Sequence, residues 1–150
     1  MKPMLFVALD GLKNRPYQTL RAAKSFATVP GEYGFKINLD YLLAKGCKVA
    51  INQIRRFSGR PIFTDIKMWN GGRTRMSVVE ELVALGVDFL NVYALAEKEI
   101  TQAVKAAEGS STRVLGLTVL THYDDAYCQR HFRRSLAETV LHFGTVAVNA

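Results

Sequence analysis

Five short apolar segments recur along the chain at regular intervals. They are "LFVALD" from Leu5, "GFKIN" from Gly34, "PIFTDIK" from Pro61, "VDFLNVY" from Val87 and "RVLGLTVL" from Arg113, so their starts lie 29, 27, 26 and 26 residues apart. Continuous apolar runs of this length are typical of parallel strands that are buried on both faces. The spacing therefore predicts a strand–helix unit that is used five times.

The stretches between these segments have the spacing of amphipathic helices. Three of them are "RPYQTLRAAKSFA", "TRMSVVEELVALG" and "LAEKEITQAVKAAEG", and a fourth helix is predicted within "RRSLAETVLHFGTVAVNA". The second and third end at Gly86 and Gly109, where a left-handed helix cap is expected. Alternating strands and helices leave two architectures open, a doubly wound sheet or a (β/α) barrel.

The polar residues favour the barrel. They stand at or near the carboxyl ends of successive strands, the face on which barrel enzymes build their active sites; they are Asp10, Lys36, Asp65, Lys67, Asn91 and Thr118. No strand is followed by a GxGxxG or GxxxxGK[ST] phosphate loop, which weakens the doubly wound alternative. A complete barrel takes about 250 residues and eight strands. Residues 1–150 are therefore expected to form a single incomplete domain, the first five units of a TIM (β/α)8 barrel, either as a fragment or completed by another chain.

Composition excludes several classes of function. Apolar residues make up 49% of the chain, enough for a sizeable core, and no apolar run could span a bilayer. Two cysteines without metal-site spacing indicate reduced thiols, and a cytoplasmic location is expected without a membrane partner. The net charge of +7 comes from residues 1–75, with 14 Lys/Arg against 4 Asp/Glu, but these bases are scattered. No nucleic-acid partner is predicted, whereas an anionic small substrate is compatible.

Two opposite charges end the third strand. Asp65 and Lys67 are two residues apart, so they project to the same side, as Lys36 and Asn38 do on the preceding strand. If the two strands are neighbours, Lys36 completes a Lys–Asp–Lys array in the barrel mouth. Ions in such a place cost several kcal/mol each unless they are paired. The array therefore points to a functional site, and an ion-pair network that pins the loops is the alternative.

Several motifs resemble the first five strands of orotidine 5'-phosphate decarboxylase over essentially the whole chain. They are "FVALD", "GFKIN", "FTDIKMWN" with Thr74 following, and "LGLTVLTHYDD". The D-x-K-x-x-D pattern is shared with sugar-phosphate relatives, the ketogulonate-phosphate decarboxylases and hexulose-phosphate synthases. Those relatives resemble one another in carrying a metal-binding Glu where this chain has Lys36, so Lys36 favours the orotidylate branch.

The resemblance implies a role for each site residue. Asp10 would hydrogen-bond the substrate ribose, and Lys36 would bind ribose and hold the neighbouring carboxylate. Asp65 would lie against the leaving carboxylate and orient Lys67, the proton donor. Thr74 would contact ribose across a homodimer interface, and Thr121 would lie near the pyrimidine. The implied reaction converts orotidine 5'-monophosphate (OMP) to UMP and CO2 in pyrimidine synthesis, with no cofactor and no metal.

Asn70 departs from the family's pattern. The resemblance implies an aspartate there, which would reach the active site of the partner in the dimer and end a Lys–Asp–Lys–Asp chain of charges. An amide accepts a hydrogen bond but does not balance the charge of an ammonium. "NGG" is also close to the Asp-Ala-Gly of the sugar-phosphate relatives. Two alternatives follow, a Mg2+-dependent sugar-phosphate decarboxylase or synthase, and a non-catalytic nucleotide-binding or assembly fragment.

Overall fold

The computed structural model describes residues 4–10 and 16–150. The strands are β1 (Leu5–Ala8), β2 (Tyr33–Asn38), β3 (Ile62–Met68), β4 (Phe89–Tyr93) and β5 (Arg113–Leu117). The helices are α1 (Pro16–Ala27), α2 (Leu39–Lys45), α3 (Cys47–Ser58), α4 (Gly72–Ala84), α5 (Ile100–Ala107), α6 (Asp125–Phe132) and α7 (Leu136–Val148), with a 3-10 segment at Ala94–Glu99. None of the helices in these two ranges combines the length and hydropathy needed to span a bilayer.

The strand order decides between the two predicted architectures. All described strands are parallel and lie in the order β1-β2-β3-β4-β5, so each strand pairs with the next one along the chain. In a doubly wound sheet the strand order reverses at a switch point, whereas the order of this sheet does not reverse. The predicted partial barrel with five strand–helix units is therefore confirmed.

The main core lies between the sheet and the helices that cover its outer face. Alternate strand residues, among them Phe35, Ile37 and Leu90, are fully buried there. From the helix side they meet the apolar stripe of α3, in which Ala50, Ile51 and Ile54 are fully buried. This layer holds the strands in register, so the ends of β2, β3 and β4 lie side by side.

The helices differ from prediction in one segment. "LAEKEITQAVKAAEG" was expected to form one helix, but the backbone breaks at Glu97, where φ is 47° and ψ is −127°. The first part is a 3-10 segment and α5 begins only at Ile100. The expected caps are present, since Gly86 and Gly109 have φ of 71° and 76°. The strand–helix repeat predicts a helix between β2 and β3, and the chain forms two there, α2 and α3.

Three phenylalanine rings on the inner face form an aromatic floor beneath the strand ends. The ring of Phe6 meets those of Phe63 and Phe89 edge to face, with centroids 5.6 and 5.2 Å apart. Phe6 pairs with Gly34 in the β1–β2 ladder. A Cβ on Gly34 would lie 2.6 Å from both the Phe6 ring and the Pro61 carbonyl oxygen. The missing side chain therefore makes room for the floor.

Gly34→Ala is expected to destabilise the protein by about 1–3 kcal/mol, because the added methyl group meets main chain that does not yield easily. The matched control is Gly144→Ala in α7, where a Cβ would meet nothing within 4 Å. This control should be stabilised by about 0.5–1 kcal/mol, since alanine is the better helix former. Urea unfolding of both variants measures the difference. Equal stability of the two variants would contradict the close packing at Gly34.

Candidate active site

A buried carboxylate near the end of β3 organises the polar residues of the barrel mouth. The side chain of Asp65 is only 5% exposed. Its Oδ2 accepts hydrogen bonds from Lys36 Nζ at 3.0 Å and from Lys67 Nζ at 2.6 Å. Its Oδ1 accepts one from Asn91 Nδ2 at 2.7 Å. Three neighbouring strands therefore converge on this one group.

Lys36 extends the array by one member. Its Nζ lies 3.2 Å from Asp10 Oδ2, just after β1. Opposite charges thus alternate along Asp10, Lys36, Asp65 and Lys67, which we call the charged row. Two ammonium groups and two carboxylates sum to a net charge of zero. The structure brings together the predicted Lys–Asp–Lys array and adds the predicted substrate-binding residue Asp10 to it.

The backbone at Lys67 is left-handed, with φ at 46°. The β3–β4 register shifts here, since Thr64 pairs with Leu90 but Met68 pairs with Val92. The main-chain N–H of Lys67 donates instead to Asn91 Oδ1 at 2.8 Å. A positive φ is uncommon outside glycine and costs on the order of 1–3 kcal/mol. The strain at Lys67 accompanies the placement of its ammonium against Asp65.

Asn91 is a site residue to which sequence reasoning assigned no role. One amide group donates to Asp65 and accepts from the Lys67 main chain, so it holds both the carboxylate and the strained backbone. It is 3% exposed. The available signal was its position at the end of the fourth strand, within "FLNVY". Its role depends on the register shift, which the sequence does not reveal.

Contacts within the charged row stabilise the ionised forms of Asp65 and Lys36. Burial alone would raise the pKa of Asp65, but hydrogen bonds from Lys67, Asn91 and Lys36 outweigh it, so the pKa lies below its ordinary 3.8. Burial alone would lower the pKa of Lys36, but its bonds to Asp65 and Asp10 and the charges of both carboxylates raise it above 10.5. Asp65 is therefore an anion at neutral pH.

Three predicted site residues lie outside the charged row. Asn70 is exposed just after β3. Thr74 is exposed near the start of α4, where it borders a groove of about 300 Å³ with Cys47 and Ser77. Thr121 is exposed in the loop that follows β5. Their expected contacts are with substrate or with a second subunit, so their roles stay predictions.

An aromatic cleft of about 210 Å³ opens at the ends of β3, β4 and β5. Its aromatic lining is Trp69, Tyr93, Tyr123, Tyr127, Phe132 and Phe143. The rings of Tyr123 and Tyr127 stack with centroids 3.8 Å apart. Burial raises the pKa of Tyr93, and the nearby Tyr123 and the charge of Asp65 add to this shift. The cleft and the charged row therefore lie at the same end of the barrel.

The carboxylate oxygens of the charged row face hydrogen-bond donors and ammonium groups. Within residues 4–10 and 16–150, no three His, Cys, Asp or Glu side chains lie close enough together to hold one. The Asp65 oxygens accept hydrogen bonds from two ammonium groups and an amide, where a metal site would need free ligand oxygens. In the described part of the mouth, a ligand would therefore meet the ammonium groups of Lys36 and Lys67.

Asp65 is expected to make stability fall in acid. Because its folded-state pKa lies below 3.8, its contribution is fully present above 3.8 and is lost as the pH falls through the folded-state pKa. Urea unfolding between pH 7 and pH 2 measures the free energy of unfolding. The Asp65→Asn variant should be less stable at pH 7, since two ammonium groups lose their shared counter-charge. It should also lose less stability than the wild type between pH 5 and pH 2, and parallel curves would contradict this assignment.

Comparison with known proteins gives the family. A family model described as "Orotidine 5'-phosphate decarboxylase / HUMPS family" matches residues 3–148. Among curated proteins, the orotidine 5'-phosphate decarboxylase of Rhodopseudomonas palustris is 34% identical over 122 residues, which are 81% of this chain and 49% of that protein. The Streptococcus pneumoniae serotype 19F enzyme of the same name is 28% identical over 149 residues, 96% of this chain and 60% of that protein.

Solved structures agree with this result. The crystal structure of orotidine 5'-phosphate decarboxylase from Lactobacillus acidophilus superposes with a TM-score of 0.78 at 25% identity, covering 99% of this chain and 68% of that one. The chain thus spans about half of the length of the R. palustris relative and 60% of the S. pneumoniae one. From its matched residues and its fold, the chain belongs to the orotidine 5'-phosphate decarboxylase / HUMPS family.

Proposed function

We propose that the protein, as a completed barrel, decarboxylates OMP to UMP. The observation that carries this proposal is the Asp65 carboxylate clamped between the ammonium groups of Lys36 and Lys67, at 3.0 and 2.6 Å, in the mouth of a parallel barrel. The relatives named above carry the name of this activity. We assign the activity to the completed barrel because binding energy from a substrate's remote phosphate helps to organise a reacting site.

The charged row supplies what the reaction needs. When the bond between the ring carbon and the carboxylate breaks, CO2 leaves and the electron pair stays on the ring carbon. The ammonium of Lys67 stabilises this carbanion electrostatically and then transfers a proton to it. Lys67 becomes a neutral amine and regains a proton from water. The side chain of Lys67 is 39% exposed, so a ligand in the mouth can reach it.

Asp65 is proposed to orient Lys67 rather than to react. Its short bond to Lys67 Nζ and its negative charge hold the ammonium group in place. Asp10 and Lys36 are proposed to bind the ribose. In a homodimer with shared active sites, Asn70 and Thr74 would contact the partner's substrate, and Thr121 would lie near the pyrimidine.

A Mg2+-dependent sugar-phosphate decarboxylase or synthase is the second candidate, favoured by the "NGG" at Asn70 and by the breadth of the matched family. Dialysis against EDTA separates the two. We expect turnover of OMP, followed by the loss of its ultraviolet absorbance, to be unchanged by the chelator. Turnover that EDTA abolishes and Mg2+ restores would refute the metal-free mechanism.

Lys67→Ala is expected to lower kcat by at least about 10²-fold, because the proton donor is removed. The control is Lys105→Ala, an exposed lysine of α5. Both variants should keep the rise in melting temperature that UMP causes in the wild type, since a ligand that binds only the folded state stabilises it. Normal turnover by Lys67→Ala would refute the role of Lys67. A completed barrel that UMP stabilises but that has no turnover would indicate the non-catalytic nucleotide-binding alternative.

Asn70→Asp is expected to give equal or greater activity, because it supplies the negative charge that the resemblance implies at this position. The measurement is kcat/KM for OMP, with Asn149→Asp near the chain end as a control for the added charge. A clear loss of activity in Asn70→Asp alone would mean that Asn70 is adapted to a different reaction.

A further inference from the structure

An arginine is buried beneath the loop that leaves β3. Arg75, in the first turns of α4, is 1% exposed and is among the largest fully buried side chains. Its Nη1 donates to the main-chain oxygen of Glu99 at 3.0 Å and to Glu99 Oε2 at 3.3 Å. Its Nη2 donates to the main-chain oxygen of Asn70. One guanidinium thus joins the loop after β3 to the segment after β4.

Burying a guanidinium costs more free energy than filling the same space with an apolar side chain. A buried guanidinium loses its hydration, and replacement of buried ions by apolar residues is often neutral or stabilising. The partner carboxylate, Glu99, is 47% exposed, and the Nε of Arg75 finds no hydrogen-bond partner in the described part of the chain. The contacts that the guanidinium does make go to two loops at the mouth. A role in fixing those loops accounts for the charge better than stability does.

Within the described residues, few other hydrogen bonds hold the loop after β3. Helix α4 begins without a side-chain cap at Gly71. Asn70 follows only three residues after Lys67, whose backbone is strained. The first residue of α4 lies close to α5, since a Cβ on Gly72 would lie 2.1 Å from Gln102 Oε1. The hydrogen bond to the Asn70 carbonyl oxygen therefore restricts the path of the main chain that follows Lys67.

We propose that Arg75 is a positioning residue: its guanidinium ties the Asn70 carbonyl to Glu99 and so sets the place of the loop that follows Lys67. This contact holds the end of β3 against the segment after β4, the strand that carries Asn91. The Lys67 ammonium is thereby kept in line with Asp65. The effect on turnover rests on the function proposed above, whereas the effect on the loop does not.

The sequence contains one tryptophan, Trp69, which precedes Asn70 and is 64% exposed. Its fluorescence therefore reports on this loop. In Arg75→Gln we expect a changed emission maximum and a larger acrylamide quenching constant. Amide hydrogen exchange in a peptide covering residues 69–72 should be roughly tenfold faster, the change expected when charged hydrogen bonds are lost. Arg75→Lys should not restore either value, since an ammonium lacks the fork that reaches both loops.

The matched control is Arg55→Gln. Arg55 makes the same kind of tie elsewhere, with Nη2 donating to the Gly86 carbonyl and lying 3.4 Å from Asp88 Oδ2. This variant should lower the melting temperature without changing the Trp69 signal or the exchange at residues 69–72. The same loss of stability with the same loop signal in both variants would show a merely structural role for Arg75.

Glu99→Gln keeps the proposal testable if Arg75→Gln does not fold. It removes the charged partner and leaves the Glu99 main-chain acceptor, so a smaller change in the same direction is expected. If Arg75→Gln folds and shows wild-type quenching and exchange, the proposal is overturned. If Arg75→Gln does not fold, wild-type values in Glu99→Gln overturn it. Where the wild type turns over OMP, Arg75→Gln should lower kcat more than it raises KM. A completed barrel without turnover would refute the proposed function, and the loop measurements would still decide the role of Arg75.

Discussion

The burial of one carboxylate governs the arrangement of the barrel mouth. Asp65 is removed from water inside the protein, and an anion in that position needs compensating donors. Lys36, Lys67 and Asn91 provide them from β2, β3 and β4. These donors reach Asp65 only if the three strands keep their parallel order and register. The sheet and the charged row therefore depend on each other.

The mouth combines several features that are energetically costly to form. Ions sit side by side near the aromatic floor, a lysine has a left-handed backbone, and an arginine is buried with one nitrogen unpartnered in the described chain. Such features persist when the surrounding structure over-determines them, and they gather at functional sites. Here the apolar layer between sheet and helices supplies the stability that this strain reduces.

The architecture was readable from the sequence because periodicity and strand-end chemistry are local signals. The spacing of five apolar runs predicts the strands, and the polar residues that end them predict the barrel. Gly86 and Gly109 mark helix ends because a left-handed residue is needed there. The sequence does not predict the break at Glu97, because the helical spacing continues through the kink and no glycine or proline marks it.

The candidate site was readable only in part. Alternation along a strand brings Asp65 and Lys67 to one side, and strand adjacency adds Lys36. The amide bridge of Asn91 depends on a register shift between β3 and β4, which arises from tertiary pairing. Likewise, Arg75 falls at the helical spacing of the buried residues Val79 and Leu82, but its charge predicts an exposed side chain. Its burial follows from the way two segments fold over it. Helix propensity does not predict such a long-range contact.

Gly34 has a consequence for protein design. It carries no chemistry, yet its missing side chain lets the Phe6 ring reach across β2 to Phe63 and Phe89. Lys36 stands two residues further along the same strand and pairs with Phe63 in the ladder. A designer who transplanted only the four charged side chains into another barrel would omit the support beneath them. The smallest transferable unit includes the glycine and the ring that it accommodates.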